Sequence, residues 1–348
     1  MSKQKTEGKS LQEIRNVRIE KVEKIKELGF NPYDYKYERT HTAAQIVDNY
    51  DELKEEVTVK TAGRLMAIRR MGKANFCDLK DNQTSIQIYI QKNKVDEDQY
   101  ELFKLLDIGD IIVVTGKVMK SRTGEITIFV EKLDILTKSI RPIPIVKESE
   151  EKTYDAFSDK ELRYRKRYLD LIVNPEVKQV FKTRSKIIGW TRDFLNNRNY
   201  LEVETPILQP LYGGANARPF KTYYNALNSE FYLRIADELY LKRLIIGGFD
   251  RVYELSKNFR NEGVDRNHNP EFTLLEFYQT YVDYEHMMDL VEDFFKFMAE
   301  KLDQAVFQFN GNQINLKKSF QRATMFELIE RHTGENISDA SEEELKNM

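Results

Sequence analysis

Residues 259–281 read FRNEGVDRNHNPEFTLLEFYQTY, and this stretch decides the fold. It continues the strand pattern RVYELSKNFR, passes through a polar loop around Asn269–Pro270, and enters a second strand. A residue before proline is pushed toward extended backbone, so the loop separates two strands and does not join helices. Side chains alternate along a strand. Phe272, Leu274, Glu276, Tyr278 and Thr280 therefore share one face, and Thr273, Leu275, Phe277, Gln279 and Tyr281 the other. Glu276 is out of place within LLEFY. An uncompensated carboxylate among apolar side chains costs on the order of several kcal/mol. Its cationic partner is either a group of the protein, with Arg260 at the end of the first strand as the candidate, or a ligand.

Working outward, a second carboxylate, Glu238, opens the helical pattern DELYLKRLIIGG just after the strand FYLRIA. Upstream, GGANARPF brings Gly213 and Gly214, which lack Cβ atoms and let a small ligand approach the backbone. Two carboxylates and a glycine wall suit a small molecule carrying positive charge. The alternative for Asp237 and Glu238 is helix capping. The planar fork of Arg260 suits phosphate oxygens, and Phe272 offers a plate on which a purine can stack.

Composition narrows the classes. The chain has 348 residues, 41% apolar and 32% charged, with a formal net charge of -2. That describes a soluble protein of two or three domains and excludes a globally basic nucleic-acid binder, though not a local basic face. One cysteine, Cys77, excludes an intramolecular disulfide and a multi-cysteine zinc site. The start, MSKQKTEGKS, has no apolar core for a signal peptide, and no apolar run reaches membrane-spanning length. A cytoplasmic location with no membrane association is the expectation. No GxGxxG, GxxxxGK, HExxH or GxSxG motif occurs, and the four histidines lack metal-ligand spacing. A nucleotide would bind on an antiparallel sheet.

Along the chain, 1–55 reads as an N-terminal helical extension, 56–140 as a small barrel, 141–175 as a linker and 176–348 as a further domain. The extension carries an amphipathic helix over 11–29, with Leu11, Ile14, Val22, Ile25 and Leu28 on the apolar face. Its other face carries Arg15, Arg18, Lys21, Lys24 and Lys26, a solvated face or a surface for a phosphate backbone. Between Val57 and Thr137 five short strands, with a helix at DEDQYELFKLL, lay out a Greek-key barrel. Such barrels bind oligonucleotides on an open face, and Arg64, Phe76 and Gln87 lie on the first three strands.

These residues resemble the class II aminoacyl-tRNA synthetases, of the branch that holds the aspartate, asparagine and lysine enzymes. FRNEGVDRNHNPEFTLLEFY is similar to the second signature of the class, while GGANARPF, RIADELYLKRLIIGGFDRVYE, RTHTAAQI and RYRKRYLDLI resemble the lysine-specific members. The resemblance implies an α+β chain: an OB-fold barrel that reads a tRNA anticodon, then an antiparallel class II sheet with flanking helices that dimerises. It implies ATP and L-lysine as substrates, tRNA(Lys) as partner, Mg2+ with the nucleotide, and formation of lysyl-adenylate before transfer to the 3' end of the tRNA. Carried over, Arg260 grips the α-phosphate and the substrate carboxylate as the catalytic group. Glu262 meets the adenine amino group, Phe272 stacks on the ring, and Asn261, His268 and Asn269 fall at further ATP-contacting positions. Gly214, Glu238, Glu276 and Tyr278 fall at the lysine-binding positions. In the barrel, Arg64, Phe76, Gln87 and Glu125 fall at the anticodon-binding positions. The helix from Glu176 and the strand before Pro206 are similar to the first signature, which forms a dimer interface.

The sequence departs from the pattern at Asp237, where proline is often seen, and at Asn216, where a smaller residue is common. The third signature and the acidic magnesium ligands are not found before Met348. The expectation is therefore a C-terminally truncated chain with an incomplete active site. Two alternatives stand beside a lysine enzyme: a non-catalytic tRNA-binding fragment, and an aspartyl- or asparaginyl-type enzyme of the same architecture.

Overall fold

The computed structural model describes residues 10–54, 57–82, 84–144, 147–149, 152–154, 157–338 and 340–347. Most of the charged N-terminal stretch and part of the acidic run after Pro144 lie outside the described residues. The chain divides into two compact units, Met1–Pro175 and Glu176–Met348.

The first unit is built on five strands: β1 (Thr58–Met71), β2 (Ala74–Lys80), β3 (Ser85–Gln91), β4 (Ile111–Lys120) and β5 (Ile126–Thr137). They close into a barrel in the order β1-β2-β3-β5-β4, with the expected helix at Glu97–Leu105. Inward-pointing Val59, Leu65, Cys77, Leu79, Ile88, Val114 and Ile128 are buried and fill the interior. Burial pushes the Cys77 thiol up to about 12, so it packs as an inert apolar group. At Gly116, a Cβ would stand 2.0 Å from the Phe129 carbonyl oxygen. The irregularity between Thr115 and Gly116, where β4 crosses β5, therefore admits only glycine.

Helix α1 (Leu11–Glu27) begins in a capping box of Ser10 and Glu13 and buries Val22 and Ile25 against the barrel side of the unit. Two assignments change. Leu11 is 74% exposed, one turn beyond the packed seam. Arg18 and Lys21 are not on a solvated basic face. Arg18 is 8% exposed and donates to the carbonyls of Ser139 at 2.7 Å and Ile108 at 3.1 Å, and Lys21 pairs with Asp107 at 2.6 Å. Their long stems reach over the helix edge, Arg18 to backbone carbonyls and Lys21 to a carboxylate.

These contacts continue into a buried ionic cluster. Lys138 Nζ lies 2.6 Å from both Asp107 Oδ2 and Asp110 Oδ2 and donates to the Leu105 carbonyl at 3.0 Å. Removing one partner strands the others without compensation, so Lys138→Met should destabilise the unit by about 3–5 kcal/mol in urea denaturation. Burial alone would raise the Asp107 carboxyl, but Lys138 and Lys21 outweigh it and hold it below its ordinary 3.8. A depressed folded-state pKa gives stability that is present above the unfolded value and lost as the pH falls through the folded one. The cluster should thus hold near neutrality and weaken below about pH 4.

The stretch read as a linker is partly helical, at Lys160–Arg165 and Arg167–Val173. The basic run RYRKRYLDL folds around the fully buried Asp170, which accepts from Arg163 at 2.8 Å, Asn174 at 2.7 Å and Arg167.

In the second unit the helix Pro175–Asn196 leads to a three-stranded sheet. The antiparallel strands Arg251–Phe259 and Glu271–Gln279 form its hairpin, and Leu201–Glu202 adds a short parallel edge. Leu275 and Phe277 pack on Phe194, Tyr200, Tyr253 and Leu290, so one hairpin face is consumed by the core as the alternation requires. The opposite face carries Phe272, Glu276 and Tyr278. A second sheet orders Lys221–Tyr224, Ser229–Leu233 and Leu208–Gln209, and the helices Glu238–Ile246 and Tyr284–Lys301 complete the surroundings. Among the described residues no helix is long and apolar enough to cross a membrane.

Candidate active site and nucleic-acid groove

The hairpin register pairs Asn258 with Phe272, Ser256 with Leu274 and Glu254 with Glu276, so these residues share the free face. Arg260 closes the hairpin, its N–H donating to the Pro270 carbonyl at 2.9 Å. Its guanidinium carbon lies 5.1 Å from the centre of the Phe272 ring. The Arg260 Nε is buried and has no hydrogen-bond partner. Such a donor costs about 1–3 kcal/mol if left unmet, which marks it as a group awaiting an acceptor.

The loop is tied to the glycine segment. Asn261 N–H donates to the Arg218 carbonyl at 2.7 Å, and Glu262 accepts from the Arg218 N–H at 3.2 Å. His268 and Asn269 are engaged within the loop. The His268 ring lies 2.7 Å from Asp265 Oδ2, and Asn269 donates to the Glu271 carbonyl at 2.5 Å. The Asn267 N–H, together with the His268 side chain and N–H, holds the Asp265 carboxyl below its usual range. Asn261, Glu262, His268 and Asn269 are all exposed.

Glu276 is not paired with Arg260. Its Oε2 accepts from the Asp237 N–H at 3.1 Å and its Oε1 from the Tyr278 hydroxyl at 2.7 Å, both neutral donors. Among the described residues no ion pair includes Glu276, so the internal salt bridge left open above does not form. Burial, and then the charges of Glu276, Glu238 and Asp237, hold the Tyr278 phenol protonated well above its ordinary range. Gly214 has φ +87, and a Cβ there would stand 2.8 Å from Glu238 Cβ and 3.5 Å from Glu238 Oε2. Glu238 pairs with Lys242 at 2.6 Å on the exposed side of its helix. The Asp237 side chain makes no capping bond and turns instead into a buried cluster. The structure thus gathers Gly214, Glu238, Glu276 and Tyr278, with Arg260 and Phe272 farther along the same hairpin.

On the barrel, an aromatic ladder runs along the outer face. Phe76 and Tyr89 are 4.9 Å apart, and Tyr89 and Phe129 5.0 Å. With Arg69, Gln87 and Lys120 they line a groove of about 630 Å³. Gln87 donates to Glu125 at 2.6 Å, which places Glu125 at the groove's edge. Arg64 lies apart: it stands opposite Lys80 and donates to the Gly109 carbonyl at 2.7 Å. A bulge between Leu65 and Ala67 shifts the alternation, and Arg69 takes the place opposite Phe76. Sequence reasoning missed Arg69, Tyr89 and Phe129. Tyr89 follows Gln87 by two residues, a spacing that points to the same face, whereas the bulge leaves no local signal.

Residues 159–348 match the family of class II tRNA synthetases (D, K and N), and residues 59–136 match the OB-fold nucleic acid binding domain. The first match spans more than half of the chain, and the chain belongs to that class II synthetase family. Its relatives include lysine--tRNA ligases. It is 50% identical over 329 residues to the one from Carboxydothermus hydrogenoformans, covering 94% of this chain and 66% of that protein. With that of Pelotomaculum thermopropionicum it shares 50% over 325 residues, 93% of this chain and 63% of the relative. With that of Clostridium acetobutylicum it shares 45% over 343 residues, 98% and 65%. The chain spans just under two thirds of the length of these curated relatives.

Proposed function

We propose that this chain provides the anticodon-reading barrel and the lysine- and ATP-binding surface of a lysine--tRNA ligase. In this reading 56–140 is the anticodon-binding domain and 176–348 belongs to the catalytic domain, with 1–55 as an extension and 141–175 between them. The observation that carries it is Glu276: a carboxylate on a packed strand, held by two neutral donors and in no ion pair among the described residues. With Glu238 it offers negative charge to a substrate bearing two ammonium groups. An aspartate or asparagine substrate would set a carboxylate or amide against these carboxylates, which disfavours the sister specificities.

ATP lies along Arg260 and Phe272, with adenine stacked on the ring and Glu262 meeting its amino group. Asn261, His268 and Asn269 flank the nucleotide. The lysine carboxylate attacks the α-phosphorus, forming an oxygen–phosphorus bond as pyrophosphate departs. The terminal ribose hydroxyl of tRNA(Lys) then attacks the carbonyl of lysyl-adenylate, and AMP leaves. No protein nucleophile is needed; Arg260 orients the reactants and neutralises developing charge. Among the described residues no group of three or more His, Cys, Asp or Glu side chains is placed to hold a metal ion.

The same reading makes the chain a cytoplasmic homodimer. Val180, Phe181 and Leu201 are exposed apolar residues on the segments that resemble the first class II signature. Lysine-dependent exchange between ATP and pyrophosphate tests the catalytic half. For the barrel, Phe76→Ala should weaken binding of a tRNA(Lys) anticodon stem-loop by roughly 10- to 100-fold, the range of one lost stacking contact. Unchanged affinity in fluorescence titration would remove the ladder from the RNA path.

A further inference from the structure

Beneath Glu276 lies a buried polar cluster on the same hairpin face. Arg234, Asp237, Glu254, Ser256 and Asn258 are each 5% exposed or less, with Asp237 and Asn258 at 0%. One guanidinium faces two carboxylates: Arg234 Nε is 3.2 Å from Asp237 Oδ1, and Arg234 Nη1 is 2.7 Å from Glu254 Oε1. Ser256 donates to Asp237 Oδ2 at 2.5 Å, and Asn258 donates to Asp237 Oδ1 at 3.2 Å and to Ser256 Oγ at 2.7 Å. The Asp237 carboxylate is therefore clamped from three sides. Buried ionic clusters contribute little net stability, so the placement of what they hold is the more telling property.

What this cluster holds is the Asp237 main-chain N–H, which donates to Glu276 Oε2 at 3.1 Å. Asp237 occupies the N-cap position of the helix Glu238–Ile246 yet gives its side chain to the cluster and not to the helix. Its backbone is thereby anchored between the two carboxylates that flank the site, Glu238 next in sequence and Glu276 across the hydrogen bond. The second anchor on Glu276 is the Tyr278 hydroxyl at 2.7 Å.

We propose that Asp237 is a positioning residue for recognition of the substrate ammonium. Its clamped carboxylate fixes its N–H, and that N–H, with the Tyr278 hydroxyl, holds the Glu276 carboxylate in one orientation. The proposal rests on the lysine-binding reading of the site.

The test is calorimetric titration of L-lysine, and separately of ATP, into the protein and three variants. Asp237→Pro removes the N–H donor and should weaken lysine binding roughly tenfold, the size of one hydrogen bond to a charged acceptor, with ATP affinity within about twofold. Asp237→Asn keeps the N–H and can still accept from Asn258 through its amide oxygen while its NH2 donates to Ser256 Oγ, and should restore lysine affinity to within about threefold of the parent. A purely structural residue would move lysine and ATP affinities together and show no such rescue. Wild-type lysine affinity in Asp237→Pro, or equal losses for both ligands, overturns the proposal. If Asp237→Pro does not fold, Ser256→Ala, which loosens the clamp, decides: a loss for lysine alone supports the proposal, and no loss overturns it. A parent protein that binds no lysine overturns the ligase reading itself, and the positioning role with it.

Discussion

Glu276→Gln should weaken lysine binding by on the order of 100-fold while ATP affinity stays within about twofold. The amide oxygen can still accept from the Asp237 N–H while the amide NH2 donates to the Tyr278 hydroxyl oxygen, so the side chain keeps its place, loses its charge and reverses one hydrogen bond. In the parent protein no ion pair among the described residues includes Glu276, so a bound ammonium would satisfy that charge. Burial and the neighbouring Glu276 hold the Tyr278 phenol protonated well above its usual range, so it remains a donor to Glu276 near neutral pH. Calorimetry with lysine and with ATP separates the two affinities. Unchanged lysine affinity would make Glu276 a structural carboxylate.

Arg260→Ala should lower the rate of lysine-dependent ATP–pyrophosphate exchange by about a thousandfold, the scale of one lost charge-stabilising group in a preorganised site. The guanidinium is stacked against Phe272 and its Nε is buried without an acceptor, so its orientation exists before any nucleotide arrives. Arg260→Lys keeps the charge and loses the planar fork, and should recover only part of the rate. Recovery of the full rate by lysine would show that charge alone, without the fork, is sufficient.

Much of this site was legible because both of its units are read with a period of two. Alternation along EFTLLEFYQT separated Phe272, Glu276 and Tyr278 from Leu275 and Phe277, and the core takes the second set. The barrel strands and the helix among them were likewise visible, since each buries one face and exposes the other. What escaped has physical causes. The bulge after Leu65 moves the groove arginine from Arg64 to Arg69, and a bulge is a long-range accommodation that one strand's residues do not announce. The inward turn of Arg18 escaped because the carbonyls it serves, Ser139 and Ile108, lie about a hundred residues away in sequence. The helices around Asp170 hid in a run of basic residues that reads as a solvated linker until its buried carboxylate is known. The clamp on Asp237 joins two segments about twenty residues apart, Arg234 beside it and Ser256 and Asn258 on the next strand, so no short window of sequence shows it.

The most direct test of the central claim is amino-acid-dependent exchange of pyrophosphate into ATP by the protein, with lysine, aspartate and asparagine supplied in turn. The carboxylates Glu238 and Glu276 predict that the exchange this protein supports depends on lysine and not on the other two. Exchange with aspartate and not with lysine would contradict it.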